Sequence, residues 1–306
     1  MPLKIIFMGT PNFSVPILKS IHNSQHEVIG IYTQSPKKKN RGQKISISPV
    51  HEFALTNKID VRYPEILDSS EEVEYISSLN PNLIVVVAYG KIIPKKLLNF
   101  IKLKFINVHA SLLPKWRGAA PIHRSIMNLD KETGISIMQI TPKLDTGPVL
   151  MKKKIKILKN SNFNDLSNQL SLLGSKMIIE SLQLIEDGKA NFLPQNENEA
   201  TYAKKISKAE AKIDWRDKAE KIVAKINALH LNPGSWFDLN GSRIKVLEAI
   251  EIKAKGDPGE VLDNNLSIAC FENAIKILKL KKEGKKSMDA NEFLKGFRII
   301  KGTKLE

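Results

Sequence analysis

The chain has 306 residues, 42% of them hydrophobic and 26% charged, with a formal net charge of +16. That length admits two domains of about 100 to 200 residues each, and the composition is that of a chain able to bury a core. A single cysteine, Cys270, excludes a disulfide framework and a cysteine zinc site. The six histidines lack ligand spacing, and no apolar run approaches the roughly 20 residues of a membrane span. Met1-Pro2-Leu3-Lys4 followed by IIFMG is too short for a signal peptide and lacks a small-residue cleavage site, so a cytoplasmic, metal-free protein is expected. The charge suggests a polyanionic partner. Yet only seven of the 48 basic residues are Arg, and Lys enriched together with Asn and Ile is also what A+T-rich coding produces, so charge alone leaves nucleic-acid binding open.

Residues 3–8 form an apolar run ending at Gly9. Thr10-Pro11-Asn12 then reads as a capping segment, and Val15, Leu18 and Ile21 recur at helical spacing, giving strand, turn and helix. Residues 28–32 read as a second strand. Residues 83–88, almost wholly aliphatic, read as a third buried on both faces, and 105–108 as a fourth. Strands over 135–140 and 149–157 follow, then a long amphipathic helix with Leu166, Leu170, Leu173, Met177 and Leu184 on its apolar side. This alternation predicts a doubly wound α/β domain with a largely parallel sheet over residues 1–189.

Residues 190–207 are polar, with little periodicity, and read as a linker. A helix over 218–229 ends at Asn232-Pro233-Gly234. Short strands are predicted over 235–239, 243–252, 260–262, 266–270 and 274–280, with a tight hairpin at Asn240-Gly241. Five such strands predict a small C-terminal β-barrel, OB-fold-like, over 208–306.

Gly9 follows a strand and opens a helix, as in dinucleotide folds, but Pro11 and Ser14 stand where that fingerprint needs glycines, so a tight turn is the better reading. Leu144-Asp145-Thr146-Gly147 resembles an aspartic-protease turn. That chemistry needs a second such carboxylate, and the α/β pattern is the wrong surrounding. Asn107 and His109 close the fourth strand and, being two apart, project from the same side, toward the crevice beyond the strand ends where open α/β sheets bind ligands. An amide that can donate to a developing oxyanion, beside an imidazole that can polarise it or move a proton, suits acyl transfer. No Ser or Cys sits in a nucleophile elbow, so the attacking group would belong to a substrate, and Asp145 could hold His109 charged and oriented. From spacing alone, a purely structural Asn–His pair competes with this reading.

The wider pattern resembles the methionyl-tRNA formyltransferase family along nearly the whole chain. The resemblance rests on GTPNFSVPIL at 9–18, RGQKISISPV at 41–50, VVVAYGKIIP at 85–94, INVHASLLPKWRGAAPI at 106–122, LDTGPVL at 144–150, ATYAKKISKAEAKIDW at 200–215 and NPGSWF at 232–237. Ser-Leu-Leu-Pro after the His, with the Asn and Asp, is shared more loosely by all folate-dependent formyltransferases. Trp116 to Pro121 and the C-terminal barrel are similar to the tRNA-directed branch. The resemblance implies transfer of the formyl group of 10-formyltetrahydrofolate to the amine of methionine on initiator Met-tRNA, by a monomer without a metal. It places the catalytic trio on Asn107, His109 and Asp145. The folate contacts fall on Ser111, Leu112, Leu113 and Pro114, with Val86, Val87, Ala88 and Tyr89 lining the pteridine pocket. The tRNA-probing segment falls on 33–47, with Lys37, Lys38, Lys39, Arg41 and Lys44 as its basic residues. That segment has too few apolar residues to pack a core and is expected to be mobile in the free protein. A glycinamide ribonucleotide or nucleotide amino-sugar formyltransferase would share the trio but explains the barrel and Arg117-Gly118-Ala119-Ala120-Pro121 less well. A non-catalytic tRNA-binding protein would leave the trio unused.

Overall fold

The computed structural model describes residues 1–39, 44–100, 104–297 and 299–305. The chain divides into two compact units: Met1–Pro121, Thr133–Ile155 and Ser167–Ala203 form the first, and Ile122–Glu132, Lys156–Leu166 and Lys204–Glu306 the second. Strand β1 (Lys4–Gly9) leads into helix α1 (Ser14–His22) and β2 (Glu27–Tyr32). The antiparallel pair β3 (Lys37–Lys39) and β4 (Lys44–Ser46) precedes α2 (Pro49–Thr56), β5 (Val61–Arg62), α3 (Ser70–Ser78), β6 (Leu83–Val87), α4 (Lys95–Phe100) and β7 (Lys104–His109). Then come β8 (Arg117–Gly118), α5 (Pro121–Met127), β9 (Glu132–Gln139), β10 (Val149–Lys156), α6 (Phe163–Glu186) and β11 (Tyr202–Ala203).

The sheet of the first unit has seven strands in the order β10-β9-β7-β6-β1-β2-β5. From β5 to β7 every neighbouring pair is parallel, and β9 runs antiparallel to β7, so the sheet is mixed and mostly parallel. The aliphatic runs of β1 and β6 are buried because helices cover both faces. On one face Ile6, Met8, Ile84, Val86 and Phe105 join Val73 and Ile76 of α3 and Leu97 of α4 in a single cluster. On the other, Gly174 of α6 lies so close that an added Cβ would stand 3.1 Å from Ile17 Cδ1 and 3.2 Å from Val108 Cγ1. Chain order reverses at β1, with β2 on one side and β6 on the other, and that reversal creates the ligand crevice of doubly wound sheets.

The β1–α1 turn departs from expectation in one respect. Thr10-Pro11-Asn12 supplies no side-chain cap. Phe13 precedes α1 with helical dihedrals, and the turn closes through backbone bonds from Ser14 N to Pro11 O (2.9 Å) and Val15 N to Asn12 O (3.2 Å). The cause is crowding. A Cβ on Gly9 would lie 2.6 Å from Phe7 Cε1 and 3.0 Å from Val87 O, and the Thr10 and Ser14 hydroxyls donate instead to Tyr89 O (2.8 Å) and Val87 O (2.7 Å) just beyond and at the end of β6.

In the second unit α7 (Ala219–Ala228) is followed by β12 (Ser235–Leu239), β13 (Ser242–Ile252), β14 (Ser267–Ala269), β15 (Ala274–Lys282), β16 (Met288–Asp289) and α8 (Ala290–Gly296). The strands pair antiparallel in the order β12-β13-β15-β14, with β16 also on β15. This half-barrel closes on Trp215, Ile222, Phe237, Val246, Ile277 and Phe293. Asn240 and Gly241 both take positive φ (51° and 72°), as the β12–β13 hairpin turn requires. Expectation and structure differ at 260–262, which forms only the isolated bridges Glu260–Lys304 and Val261–Ile268, and at β16, too short to show a period.

Gly9→Ala should lower the unfolding free energy by about 1–3 kcal/mol through overpacking. The measurement is the urea midpoint, expected to fall with an unchanged slope.

Candidate active site

Strand alternation turns Val108 toward α1 and α6 and leaves Asn107 and His109 on the opposite side of β7. In register, Asn107 stands beside Val86 of β6 and Met138 of β9, and His109 beside Ser136. Asn107 is half-buried, and its amide has no hydrogen-bond partner among the described residues.

His109 is 6% exposed and held from both ring nitrogens. Nε2 lies 2.9 Å from Trp116 O; a carbonyl only accepts, so Nε2 carries the hydrogen. Nδ1 lies 3.7 Å from Asp145 Oδ2, within ion-pair range but longer than a direct hydrogen bond. The same Oδ2 accepts the Gly118 N–H at 2.8 Å. One short turn, Trp116-Arg117-Gly118, therefore supplies the acceptor for His109 and a donor for Asp145. Its dihedrals are unusual, with φ of 62° at Trp116 and 120° at Gly118, and an added Cβ on Gly118 would meet Ala203 O at 2.8 Å. Asp145 itself has φ of 50°, a conformation costing a non-glycine residue about 1–3 kcal/mol unless its surroundings impose it.

Residues 190–203 belong to the first unit and surround this turn. Trp116 N donates to Thr201 Oγ1 (2.9 Å), Arg117 N to Thr201 O (2.9 Å), and β8 pairs with β11. Arg117 is 0% exposed, and four of the five N–H groups of its guanidinium go to two side chains. Nε and Nη2 donate to Gln195 Oε1 (3.0 and 2.9 Å), Nη1 to Glu197 Oε2 and Nη2 to Glu197 Oε1 (both 2.8 Å). Gln195 Nε2 in turn donates to Asp145 O (2.9 Å) and Gly147 O (2.7 Å). Sequence reasoning found the trio but not Gln195 or Glu197. They sit in a polar segment about which composition says nothing, and only the chemistry of a buried Arg, which must find acceptors, points to such partners.

The folate-directed positions are placed as follows. Ser111 is buried, and its Oγ donates to Lys115 O (2.6 Å). Its own carbonyl accepts from Ser136 Oγ (2.7 Å), which accepts from Leu113 N (3.0 Å). Leu113 and Pro114 are buried, Leu112 is half-buried, and Lys152 Nζ donates to Leu113 O (2.7 Å). Val86 and Val87 are buried and Ala88 is exposed, with φ of 46°. Tyr89 is buried in the cluster with Tyr32, Ile93 and Phe105, and burial pushes its phenol up to about 12. Thus the Ser111 hydroxyl closes its own turn, and of 86–89 only Ala88 is open to solvent.

Among the tRNA-directed positions, Lys37 is exposed and its Nζ donates to Gln34 Oε1 (2.9 Å). Lys38, Lys39 and Lys44 lie on β3 and β4. Their side chains, and Arg41 entirely, fall outside the described residues. The ends of the segment pair as strands because a two-stranded ladder satisfies backbone groups without needing a core. Cys270 lies in the second unit, buried, and burial pushes its thiol up to about 12, far from nucleophilic use. A cavity of about 450 Å³ lined by Lys212, Asp214, Trp215 and Arg216 is also in the second unit and touches none of the trio. The paired, oriented acid–base groups on the first unit carry the chemical argument.

The Arg117 guanidinium holds the Glu197 carboxyl below its usual range. Its value is lower folded than unfolded, so the pair's contribution is fully present above about 4.5, the ordinary value, and is lost as pH falls through the folded value. Glu197→Gln should lower the melting temperature at neutral pH and flatten the acid limb of the stability curve. Thermal melts over a pH series, wild type against variant, check this.

A profile for the family described as Formyl transferase matches residues 3–182, and one for Formyl transferase, C-terminal domain, matches residues 205–298. The chain is 50% identical over 307 residues to the methionyl-tRNA formyltransferase of Pelagibacter ubique, covering 100% of this chain and 99% of that protein. It is 44% identical over 304 residues to that of Paramagnetospirillum magneticum, covering 99% and 100%. Two solved structures share the fold at low identity. The sugar 3N-formyl transferase WlaRD, in the presence of dTDP and 5-N-formyl-THF, has a TM-score of 0.66 at 21% identity, covering 94% of this chain and 100% of that one. The methionyl-tRNA formyltransferase from Clostridium thermocellum has a TM-score of 0.56 at 18% identity, covering 83% and 95%.

Proposed function

The chain belongs to the methionyl-tRNA formyltransferase family and formylates initiator Met-tRNA, and we propose that the donor is 10-formyltetrahydrofolate and that Asn107, His109 and Asp145 carry the transfer. The observation supporting this most strongly is the oriented pair at the end of β7, with His109 Nε2 committed to Trp116 O and Nδ1 facing Asp145 Oδ2. The methionine amine attacks the formyl carbon, and the carbonyl oxygen becomes an oxyanion to which Asn107 N–H donates, while His109, its two ring nitrogens already turned to Trp116 O and Asp145, stabilises it electrostatically rather than by a hydrogen bond. The C–N bond to the folate then breaks as its nitrogen takes a proton. The amine must lose one, and Asp145 is the base nearest His109 for that relay.

The folate is held, in this proposal, by the turn Ser111, Leu112, Leu113 and Pro114 and by 86–89, with backbone groups and Ala88 offering more than the buried side chains do. Lys37, Lys38, Lys39, Arg41 and Lys44 meet tRNA phosphates, where Arg41 can also read a base edge. The first unit, which takes in residues 190–203 of the expected linker, is the catalytic domain, and the half-barrel over 208–306 binds tRNA. The trio comes from one chain, so a monomer suffices, and a tRNA substrate places the work in the cytoplasm.

The test is transfer of labelled formyl from 10-formyltetrahydrofolate to initiator Met-tRNA, with elongator Met-tRNA, glycinamide ribonucleotide and a nucleotide amino sugar as competing acceptors. Initiator Met-tRNA should be formylated fastest. Asn107→Ala should lower kcat roughly 10²- to 10³-fold with little change in KM, the usual loss for one oxyanion donor. Near-normal turnover in the folded variant would remove Asn107 from the reaction. Neutralising Lys37, Lys38 and Lys39 together should flatten the slope of log affinity for tRNA against log salt by on the order of two units. An unchanged slope in the triple variant would leave the segment as ordinary solvated surface.

A further inference from the structure

We propose that Gln195 is a positioning residue for formyl transfer: its amide fixes the backbone at Asp145 so that the carboxylate is presented to His109. The inference rests on the assignment of Asp145 to the reaction. Gln195 touches none of the reacting groups: its amide nitrogen acts through the Asp145 turn, while its oxygen accepts from Arg117, a contact that Gln195→Glu keeps.

The turn between β9 and β10 that carries Asp145 is anchored in the apolar core at its first residue, where Ile140 packs against the sheet cluster. Its tip has no such anchor: Leu144 is 61% exposed, and Pro142 and Lys143 are exposed as well. The turn is nevertheless tightly specified. A Cβ on Gly147 would come within 1.8 Å of Gln139 O, and Asp145 takes a positive φ, a region that Asp enters more readily than other side chains. Polar contacts must therefore hold it. Thr141 and Thr146 bond each other through their Oγ1 atoms (3.0 Å) inside the turn, which fixes its local shape. Gln139 N closes the base of the turn on Pro148 O (2.9 Å); at its tip Gly118 N holds the carboxylate, and Gln195 Nε2 holds the backbone on both sides of Thr146, at Asp145 O and Gly147 O.

The orientation of the Gln195 amide is not ambiguous. A guanidinium offers only donors, so the atom facing Arg117 Nε and Nη2 must be the oxygen. Two backbone carbonyls offer only lone pairs, so the atom facing Asp145 O and Gly147 O must be the nitrogen. Arg117 sets the direction of the amide, and the amide sets the height and tilt of the Asp145 turn. A polar side chain fulfilling both requirements at once has to be an uncharged amide. A carboxylate there would satisfy Arg117 and repel both carbonyls.

The experiment measures kcat and KM for Met-tRNA and for 10-formyltetrahydrofolate in the full-length enzyme. The variants are Gln195→Met, Gln195→Glu, Asp145→Asn and the double variant Asp145→Asn with Gln195→Met. Gln195→Met keeps the length and loses every polar contact; Gln195→Glu keeps the acceptor for Arg117 and replaces both donors with lone pairs. Each should lower kcat about 10- to 100-fold, as a displacement of about 1 Å in a catalytic group does, with both KM values within about twofold of wild type. The double variant should be no slower than Asp145→Asn alone, because residues acting through one group are not additive. Should Gln195→Met fail to fold by circular dichroism, Gln195→Glu, singly and combined with Asp145→Asn, carries the same comparison. Wild-type kcat in the Gln195 variants, or losses that multiply in the double variant, would overturn the positioning role. Near-wild-type kcat in Asp145→Asn alone would instead remove Asp145 from the reaction and, with it, the basis of the proposal.

Discussion

A guanidinium with no solvent access organises the catalytic end of the first unit. Arg117 cannot lose its charge and cannot leave its donors unpaired in a dry interior, and its burial is tolerable because Gln195 and Glu197 accept four of its five N–H groups. That requirement draws residues 195–203 against the turn after β7 and pins the turn in a conformation ordinary packing would not choose. What the turn then offers the site is two backbone atoms, Trp116 O for His109 and Gly118 N for Asp145. Glu197, 67% exposed, meets the charge on the solvent side, while Trp116 O and Gly118 N face His109 and Asp145.

The sheet and this ion pair divide the work. Strands β6 and β7, covered on both faces, fix where Asn107 and His109 start, and neither residue needs a loop to place it. Asp145 arrives from the other side of β7 on the turn after antiparallel β9, and its approach to His109 depends on contacts from segments far away in sequence. Preorganised donors and acceptors of this kind carry most of the effect in acyl-transfer sites, because no reorganisation is needed when charge develops. The half-barrel brings a separate core, centred on Trp215, Phe237 and Phe293, that owes nothing to the catalytic sheet.

Much of this was legible in the residues. The period-2 logic of β7 puts Asn107 and His109 on one side and Val108 on the other, and the Asn240-Gly241 hairpin follows from two residues that accept positive φ. Strands of two residues, such as β5, β8, β11 and β16, carry no measurable period and exist only because a neighbour supplies their ladder. Polar residues 190–203 have the texture of a connector, and their role around Arg117 depends on contacts spanning about 80 positions, Arg117 to Glu197 being one. Ser111 stands in a motif that suggests a ligand contact, yet whether its hydroxyl faces a ligand or its own turn is decided by a carbonyl four residues on, Lys115 O, that no pattern reveals.

The turn at Trp116 to Gly118 is set before any substrate arrives, and the bond from His109 Nε2–H to Trp116 O is the most direct signature of that preorganisation. Nitrogen-15 NMR of the imidazole rings in the substrate-free protein reports which His109 nitrogen bears hydrogen. The expected result is a protonated, pyrrole-type Nε2 whose hydrogen exchanges slowly with solvent. An imine-type Nε2 would mean that Trp116 O is not its partner, and that the buried Arg117 does not hold the site in the geometry described.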